Sequence, residues 1–215
     1  MLGIIFTGAQ APEARIIKQL LETEAKGALV IAADSGLAAA QDAGVKPDWA
    51  VGDFDSLDDE SRLSEVAKER LIRYERDKDY TDTELAFSLA IEKGCGEIWI
   101  IGGGGGRIDH LFAIRSLFER ELFPRRWITD SEDIFCVNSS GEEKIFSVCL
   151  KKNALVSVFP LGSGPWDAQS RGLKWPLSNL PWDRGFFGLS NEAEDGDVSI
   201  TAKSGRFMVI LPLNY

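Results

Sequence analysis

The chain has 215 residues, 27% charged and 44% apolar, with a formal net charge of −10. That length supports one large domain or two small ones around a real core, and the composition is that of a soluble globular chain. The acidic balance excludes a nucleic-acid backbone or an anionic membrane surface as the main partner, since both need a basic face.

The first 130 residues read as alternating strands and helices. "LGIIFTG" is an apolar run suited to a strand buried on both faces. It lacks the basic flank of a signal peptide, and no apolar run approaches the ~18 residues of a membrane span. "APEARIIKQLLETEAKG" is helical and closes at Gly27. "ALVIAAD" is a second strand, followed by the Ala-rich helix "SGLAAAQDAG". "PDWAVGD" is a third strand. "SLDDESRLSEVAKER" is expected to be a polar helix with Ser56 as its N-cap. "LIRYE" is a strand. "TDTELAFSLAIEKG" opens with Thr81 and Glu84 at capping-box spacing. "EIWIIGG" is a strand, and "RIDHLFAIRSLFEREL" a helix with an apolar stripe at 108, 111, 112, 114 and 118. "RRWITD" completes the series. Such alternation predicts a mostly parallel, Rossmann-like three-layer α/β domain.

Beyond about residue 130 the pattern changes. "DIFCVNSS", "EEKIFSVCL", "ALVSVFP", "DVSITAKSG" and "RFMVILP" are short runs between Gly, Asn, Ser and Pro. They predict an antiparallel β-sandwich or barrel domain. The boundary falls near Thr129–Asp133, giving an α/β domain over 1–130 and a β domain over 131–215. Cys95, Cys136 and Cys149 are odd in number and without C-x-x-C spacing, which suggests neither a zinc site nor a disulfide framework. A reducing, cytoplasmic compartment is expected.

Open α/β sheets bind ligands at the carboxyl ends of their strands. Asp34, Asp53, Asp55, Asp79, Asp82 and Asp109 all fall at such ends. Acids this close repel unless a positive charge separates them. Carboxylates with room for water suit Mg²⁺, which the Asp53–Asp55 pair is expected to hold. The plainer alternative is that each acid caps a helix, and Asp58 and Asp59 are read as capping residues or part of a solvated face. "GGGGGRIDH" has five glycines whose N–H groups are expected to approach phosphate, with Arg107 beside them. It matches neither the P-loop nor the G-x-G-x-x-G fingerprint. His110, the single histidine, reads as a capping or packing residue.

Four motifs occur in order: "AADSG", "PDWAVGDFDSLD", "DKDYTDTELAF" and "GGGGGRIDH", with "GLKWPL" and "LSNE" in the second half. Together they resemble the thiamine pyrophosphokinase family, over nearly the whole chain. The resemblance implies diphosphate transfer from ATP to the thiamine hydroxyl, leaving AMP. It implies ATP and Mg²⁺ on the α/β domain, thiamine and dimer contacts on the β domain, and a homodimer with active sites between subunits. It places Asp53, Asp55 and Asp82 at Mg²⁺ and the phosphates, with Asp34, Asp109, Thr81, Gly104 and Gly105 nearby and Arg107 on the phosphates. Asp82 and Asp109 are both open as the group that takes the alcohol proton, and Asp55 and Arg107 act with them. Ser190 and Asn191 fall where such a β domain meets thiamine. Trp175 and Trp182 are open either as stacking walls or as packing residues. Ser35 stands where the family shows Gly, and Ile114 where it often shows Asn. Two other functions stay open: a pyrophosphokinase for another alcohol such as a pterin, and a non-catalytic nucleotide- or metal-sensing module.

Overall fold

The computed structural model describes residues 1–194 and 196–213. The chain divides into two compact units, Met1–Asp130 and Ser131–Tyr215.

In the first unit, β1 (Leu2–Phe6), β2 (Leu29–Ala33), β3 (Trp49–Gly52), β4 (Leu71–Arg73), β5 (Glu97–Ile101) and β6 (Arg126–Ile128) are all parallel, in the order β6-β5-β1-β2-β3-β4. Four strands run one way from β1, and then the chain returns to place β5 on its other side. Right-handed crossovers therefore put α1 (Ala14–Thr23) and α2 (Gly36–Asp42) on one face, and α3 (Asp82–Glu92) and α4 (Ile108–Leu117) on the other. Burial on both faces explains the runs of Ile, Val and Ala in β1, β2 and β5. The strand order reverses between β1 and β5, and a crevice opens there at the carboxyl ends.

Two local expectations are corrected. The stretch after β3 is not an α-helix but two 3₁₀ turns, Glu60–Glu65 and Lys68–Arg70. Its cap is Asp59, whose side chain accepts the Ser61 N–H at 2.8 Å, and not Ser56. Only Leu63 is buried within the first turn, too little apolar surface to hold a longer helix against the sheet. The second correction concerns α4. It ends at Leu117, and Ile114, Leu117 and Phe118 are buried, while Ile108 and Phe112 stand 66% and 61% exposed. The apolar stripe is thus split between two faces. By contrast, α3 is capped as its sequence suggests, with the reciprocal Thr81–Glu84 box complete.

The second unit is a β-sandwich. One antiparallel sheet has the order β11-β9-β13-β7, from β7 (Glu132–Asn138), β9 (Leu155–Leu161), β11 (Gly188–Glu192) and β13 (Arg206–Pro212). The other is β10-β12-β8, from β8 (Lys144–Leu150), β10 (Asp167–Arg171) and β12 (Gly196–Ser204). Alternate residues of both sheets, among them Val156, Val158, Val198, Ile200, Phe207 and Val209, form one buried cluster. Trp182 belongs to it. Its indole N–H donates to the carbonyls of Leu177 at 3.0 Å and Ala168 at 3.3 Å, so of the two readings of this tryptophan the packing one holds.

At Gly36, a Cβ would fall on the Phe6 carbonyl oxygen at the end of β1. Neither backbone can yield without disturbing the strand. Gly36→Ala is expected to destabilise the protein by about 1–3 kcal/mol, as overpacking does, read as a lower midpoint in urea with an unchanged slope.

Candidate functional site

The crevice holds a cavity of about 600 Å³. Its walls come from five chain segments: the loop after β1 (Thr7, Gly8, Ala9), the end of β2 (Asp34, Ser35), the end of β3 (Asp53, Ser56), the entry to α3 (Arg76, Lys78, Thr81, Asp82) and the glycine loop after β5 (Gly105, Gly106, Arg107). His110 and Ile114 of α4 complete it.

The carboxylates of Asp34, Asp53 and Asp82 each offer an oxygen within 4.8 Å of the others. Asp55 is not among these three. Phe54 has φ +62° and buries its ring in the core beneath, so the chain turns sharply between the two acids. Asp53 Oδ1 accepts the Asp55 N–H at 3.1 Å, an Asx-type turn. The Asp55 carboxylate is left on the surface, 3.4 Å from the Arg76 guanidinium. Asp34 takes its place in the group. It too has a positive φ of +48°, which Asp tolerates better than most residues, and Ser56 Oγ donates to its Oδ2. Asp79 is exposed and lines no part of the cavity.

The positive charge among these acids is Lys78. Its Nζ stands 3.2 Å from Asp53 Oδ2 and 3.2 Å from Asp82 Oδ1, with a side chain only 15% exposed. Burial works to lower the Lys78 pKa, but the bonds to Asp82 and Asp53 outweigh it and raise it, so the ammonium stays charged. Asp53 is held below the usual carboxylate range, first by the Asp55 N–H and then by Lys78. Asp82 moves the other way: desolvation lifts its pKa, against the pull of Lys78. Sequence reasoning passed over Lys78, although it lies four residues before Asp82 and between two acids in "DKD". Arg76, Ser56 and the Thr7–Ala9 loop were missed as well. Thr7 Oγ1 lies 2.6 Å from Thr83 Oγ1 and so ties the end of β1 to the first turn of α3.

Does this group fit a metal ion? Asp34 Oδ1 is buried and has no hydrogen-bond partner among the described residues. An orphaned carboxylate oxygen in an all-oxygen group is a poor arrangement for the protein alone and a good one for a hard divalent cation. The residues fit Mg²⁺.

The glycine loop differs from expectation in how many N–H groups it offers. The Gly102, Gly103 and Gly104 N–H groups already donate to Ile128, Gly8 and Gln10 carbonyls, each at 2.9 Å. Gly104 is therefore a structural residue of the loop. Gly105 and Gly106 follow with φ of +59° and +67°, and no protein acceptor takes their N–H groups among the described residues. They, with Arg107, are the part of the loop whose donors stay open to the cavity. Ile114 packs where a side chain at Gly103 would be, which gives that departure from the family pattern a packing role. Arg107 is exposed and paired with Asp109 at 2.6 Å; the Asp109 carboxylate lines no part of the cavity. The Thr81 hydroxyl is engaged with Glu84 in the capping box, which makes its role at the cavity wall structural.

In the second unit Asn191 is buried and bonded through both of its amide atoms. Its Nδ2 donates to the Trp175 carbonyl at 2.6 Å, and its Oδ1 accepts the Trp175 N–H at 3.1 Å and the Glu192 N–H at 2.9 Å. It fixes the Trp175 backbone to β11. The Trp175 ring is 52% exposed, with Lys174 Nζ 4.5 Å from its centroid. Ser190 is exposed, with φ +54°, and its N–H donates to Ser157 Oγ.

Two family models match the chain: the thiamin pyrophosphokinase catalytic domain over residues 20–125, and the thiamin pyrophosphokinase vitamin B1 binding domain over residues 143–207. A thiamine pyrophosphokinase of Bacillus subtilis is 33% identical over 154 residues, covering 70% of this chain and 71% of that protein. Among solved structures, a thiamin pyrophosphokinase family protein of Enterococcus faecalis is 24% identical with a TM-score of 0.73, covering 98% of both chains. Thiamin pyrophosphokinase from Candida albicans is 17% identical with a TM-score of 0.66, covering 98% of this chain and 88% of that one. These likenesses bear out the α/β plus β-sandwich architecture.

The opposed shifts of Asp53 and Asp82 predict opposite effects on stability. Asp53, lowered, stabilises the fold above its unfolded pKa of about 3.9, and that gain is lost as pH falls through its folded value. Asp82, raised, costs stability at any pH above its folded value, and the cost vanishes below about pH 3.9. In EDTA at pH 7, Asp53→Asn is expected to lower Tm and Asp82→Asn to raise it, the Asp82 difference closing below about pH 3.9 and the Asp53 difference shrinking only at still lower pH. Melting curves across pH 3–8 check the sign of each.

Proposed function

The chain belongs to the thiamine pyrophosphokinase family, and from that membership we infer the reaction its cavity serves: transfer of diphosphate from ATP to the thiamine hydroxyl, with AMP leaving. The observation that best supports this reading is the pairing, in one cavity, of the three-carboxylate group with the Gly105–Gly106–Arg107 anion-binding turn. A match to a vitamin B1 binding domain favours thiamine over a pterin, and over a module that only senses nucleotide.

In this reading Asp34, Asp53 and Asp82 hold Mg²⁺, and Asp55 acts from outside them through Arg76. An ion held by these residues would supply positive charge that offsets the charge of the phosphates. The Gly105 and Gly106 N–H groups and Arg107 hold the polyphosphate from the other side. The thiamine oxygen bonds to the β-phosphorus as the bond from that phosphorus to the α-phosphate oxygen breaks. Such transfer depends on positioning and charge neutralisation more than on a strong base. Asp109, outside the cavity and held low in pKa by Arg107, is poorly placed to take the alcohol proton. Thiamine, a cationic aromatic, is assigned to the second unit, where Trp175 offers an exposed ring and Ser190 an exposed hydroxyl.

We assign the active form as a homodimer with its active sites at the subunit interface. The exposed apolar residues Ile108 and Phe112 of α4, and Phe186, Phe187 and Leu189 near β11, support an association surface. Three free cysteines suit a cytoplasmic location. No helix among the described residues is long and apolar enough to cross a membrane.

Incubation with ATP, Mg²⁺ and thiamine is expected to give thiamine diphosphate and AMP in equal amounts by chromatography. Asp53→Asn should lower kcat by about 10²–10³-fold, the scale for loss of one charge-stabilising group. ADP in place of AMP would overturn the assignment of the attacked phosphorus. Light scattering should return twice the 23.7 kDa chain mass; a monomer that retains full activity would refute the interface site.

A further inference from the structure

Lys78 sits where a metal ion bound by Asp53 and Asp82 would have to sit. Its ammonium lies 3.2 Å from an oxygen of each, within the same group that fits a divalent cation. Two cations cannot share those oxygens at such distances without strong repulsion. One must leave, and the lysine is the one with a flexible four-carbon stem.

Where can the ammonium go? Among the described residues, the carboxylates lining the cavity are Asp34, Asp53 and Asp82, the same three that would be engaged by the metal. The remaining charged groups on the walls, Arg76 and Arg107, repel it. The protein therefore offers the released ammonium no second anion inside the cavity. A polyphosphate lying between the carboxylate wall and the Gly105–Arg107 turn does offer one.

We propose that Lys78 is a displaceable counter-ion: it neutralises the Asp53–Asp82 pair in the metal-free protein and moves onto the nucleotide's phosphates when a divalent cation takes its place. This rests on the reading of the cavity as a metal–nucleotide site. Two properties follow. The carboxylate group stays folded and charged without metal. And metal and nucleotide reinforce each other's binding, because the metal frees the ammonium to pair with phosphate and the nucleotide gives the freed ammonium a partner.

The test is a comparison of wild type with Lys78→Met and Lys78→Arg. Mn²⁺ uptake is followed by electron paramagnetic resonance without nucleotide. Binding of α,β-methylene-ATP, which cannot be cleaved at the relevant bond, is followed by calorimetry in EDTA and in saturating Mn²⁺. Lys78→Met should take up Mn²⁺ more tightly than wild type. It should bind the nucleotide about tenfold or more weakly in Mn²⁺, yet within about twofold of wild type in EDTA. Lys78→Arg should keep the wild-type pattern. An equal loss of nucleotide affinity in both conditions would mean that Lys78 is a fixed charge, and would overturn the displacement. A wild-type protein that takes up Mn²⁺ but binds no nucleotide in either condition would overturn the functional reading itself, and the proposal with it. Melting curves confirm that each variant is folded before it is compared.

Discussion

Repulsion among carboxylates is the constraint around which the first unit is arranged. Parallel strands end together, so residues that follow β2 and β3 and open α3 meet whether or not their charges agree. Three acids within 4.8 Å would oppose folding if nothing positive stood among them. Lys78 supplies that charge from the same chain, one helical turn ahead of Asp82. The remaining imbalance is held by geometry: Asp34 and Phe54 lie in the left-handed region, and a buried ring under the turn keeps Asp53 facing inward. Strain of this kind persists only where surrounding packing over-determines it.

The second unit solves a related problem with neutral groups. A buried amide must use its polar atoms or cost the fold. Asn191 makes three bonds to backbone, and in doing so it fixes where Trp175 emerges from the sandwich. Trp182, close in sequence, spends its N–H inside the core. The two tryptophans thus differ in exposure: Trp182 turns its N–H onto core carbonyls, while Trp175 stands half out of the sandwich.

Much of this was legible in the residues. Strand runs, the Thr81 capping box and the change of pattern near residue 130 follow from periodicity and turn chemistry, which are local. The acids at strand ends were visible for the same reason. What was not legible depends on direction in space. Asp53 and Asp55 are two positions apart in sequence but diverge because Phe54 has a positive φ, which no propensity reveals. Lys78 looked like one charge among many until the fold set it between two carboxylates. The α4 stripe misled because Ile108 and Phe112 are as apolar as Ile114 and Leu117, yet only the latter two find a core. Five consecutive glycines suggested five free N–H groups, and three of them are bonded to neighbouring loops.

That last difference changes how the loop meets a ligand. A run of five free glycines would lose backbone freedom at every residue on binding, at about 1–2 kcal/mol each. Here Gly102–Gly104 are ordered by the β1 loop and β6, through their own backbone bonds. Only Gly105 and Gly106 are left to be fixed, so the entropic cost falls from about 5–10 to about 2–4 kcal/mol. The glycine run is thus a short, hinged pair of donors mounted on a rigid base, and an incoming anion meets a receptor most of whose shape exists beforehand.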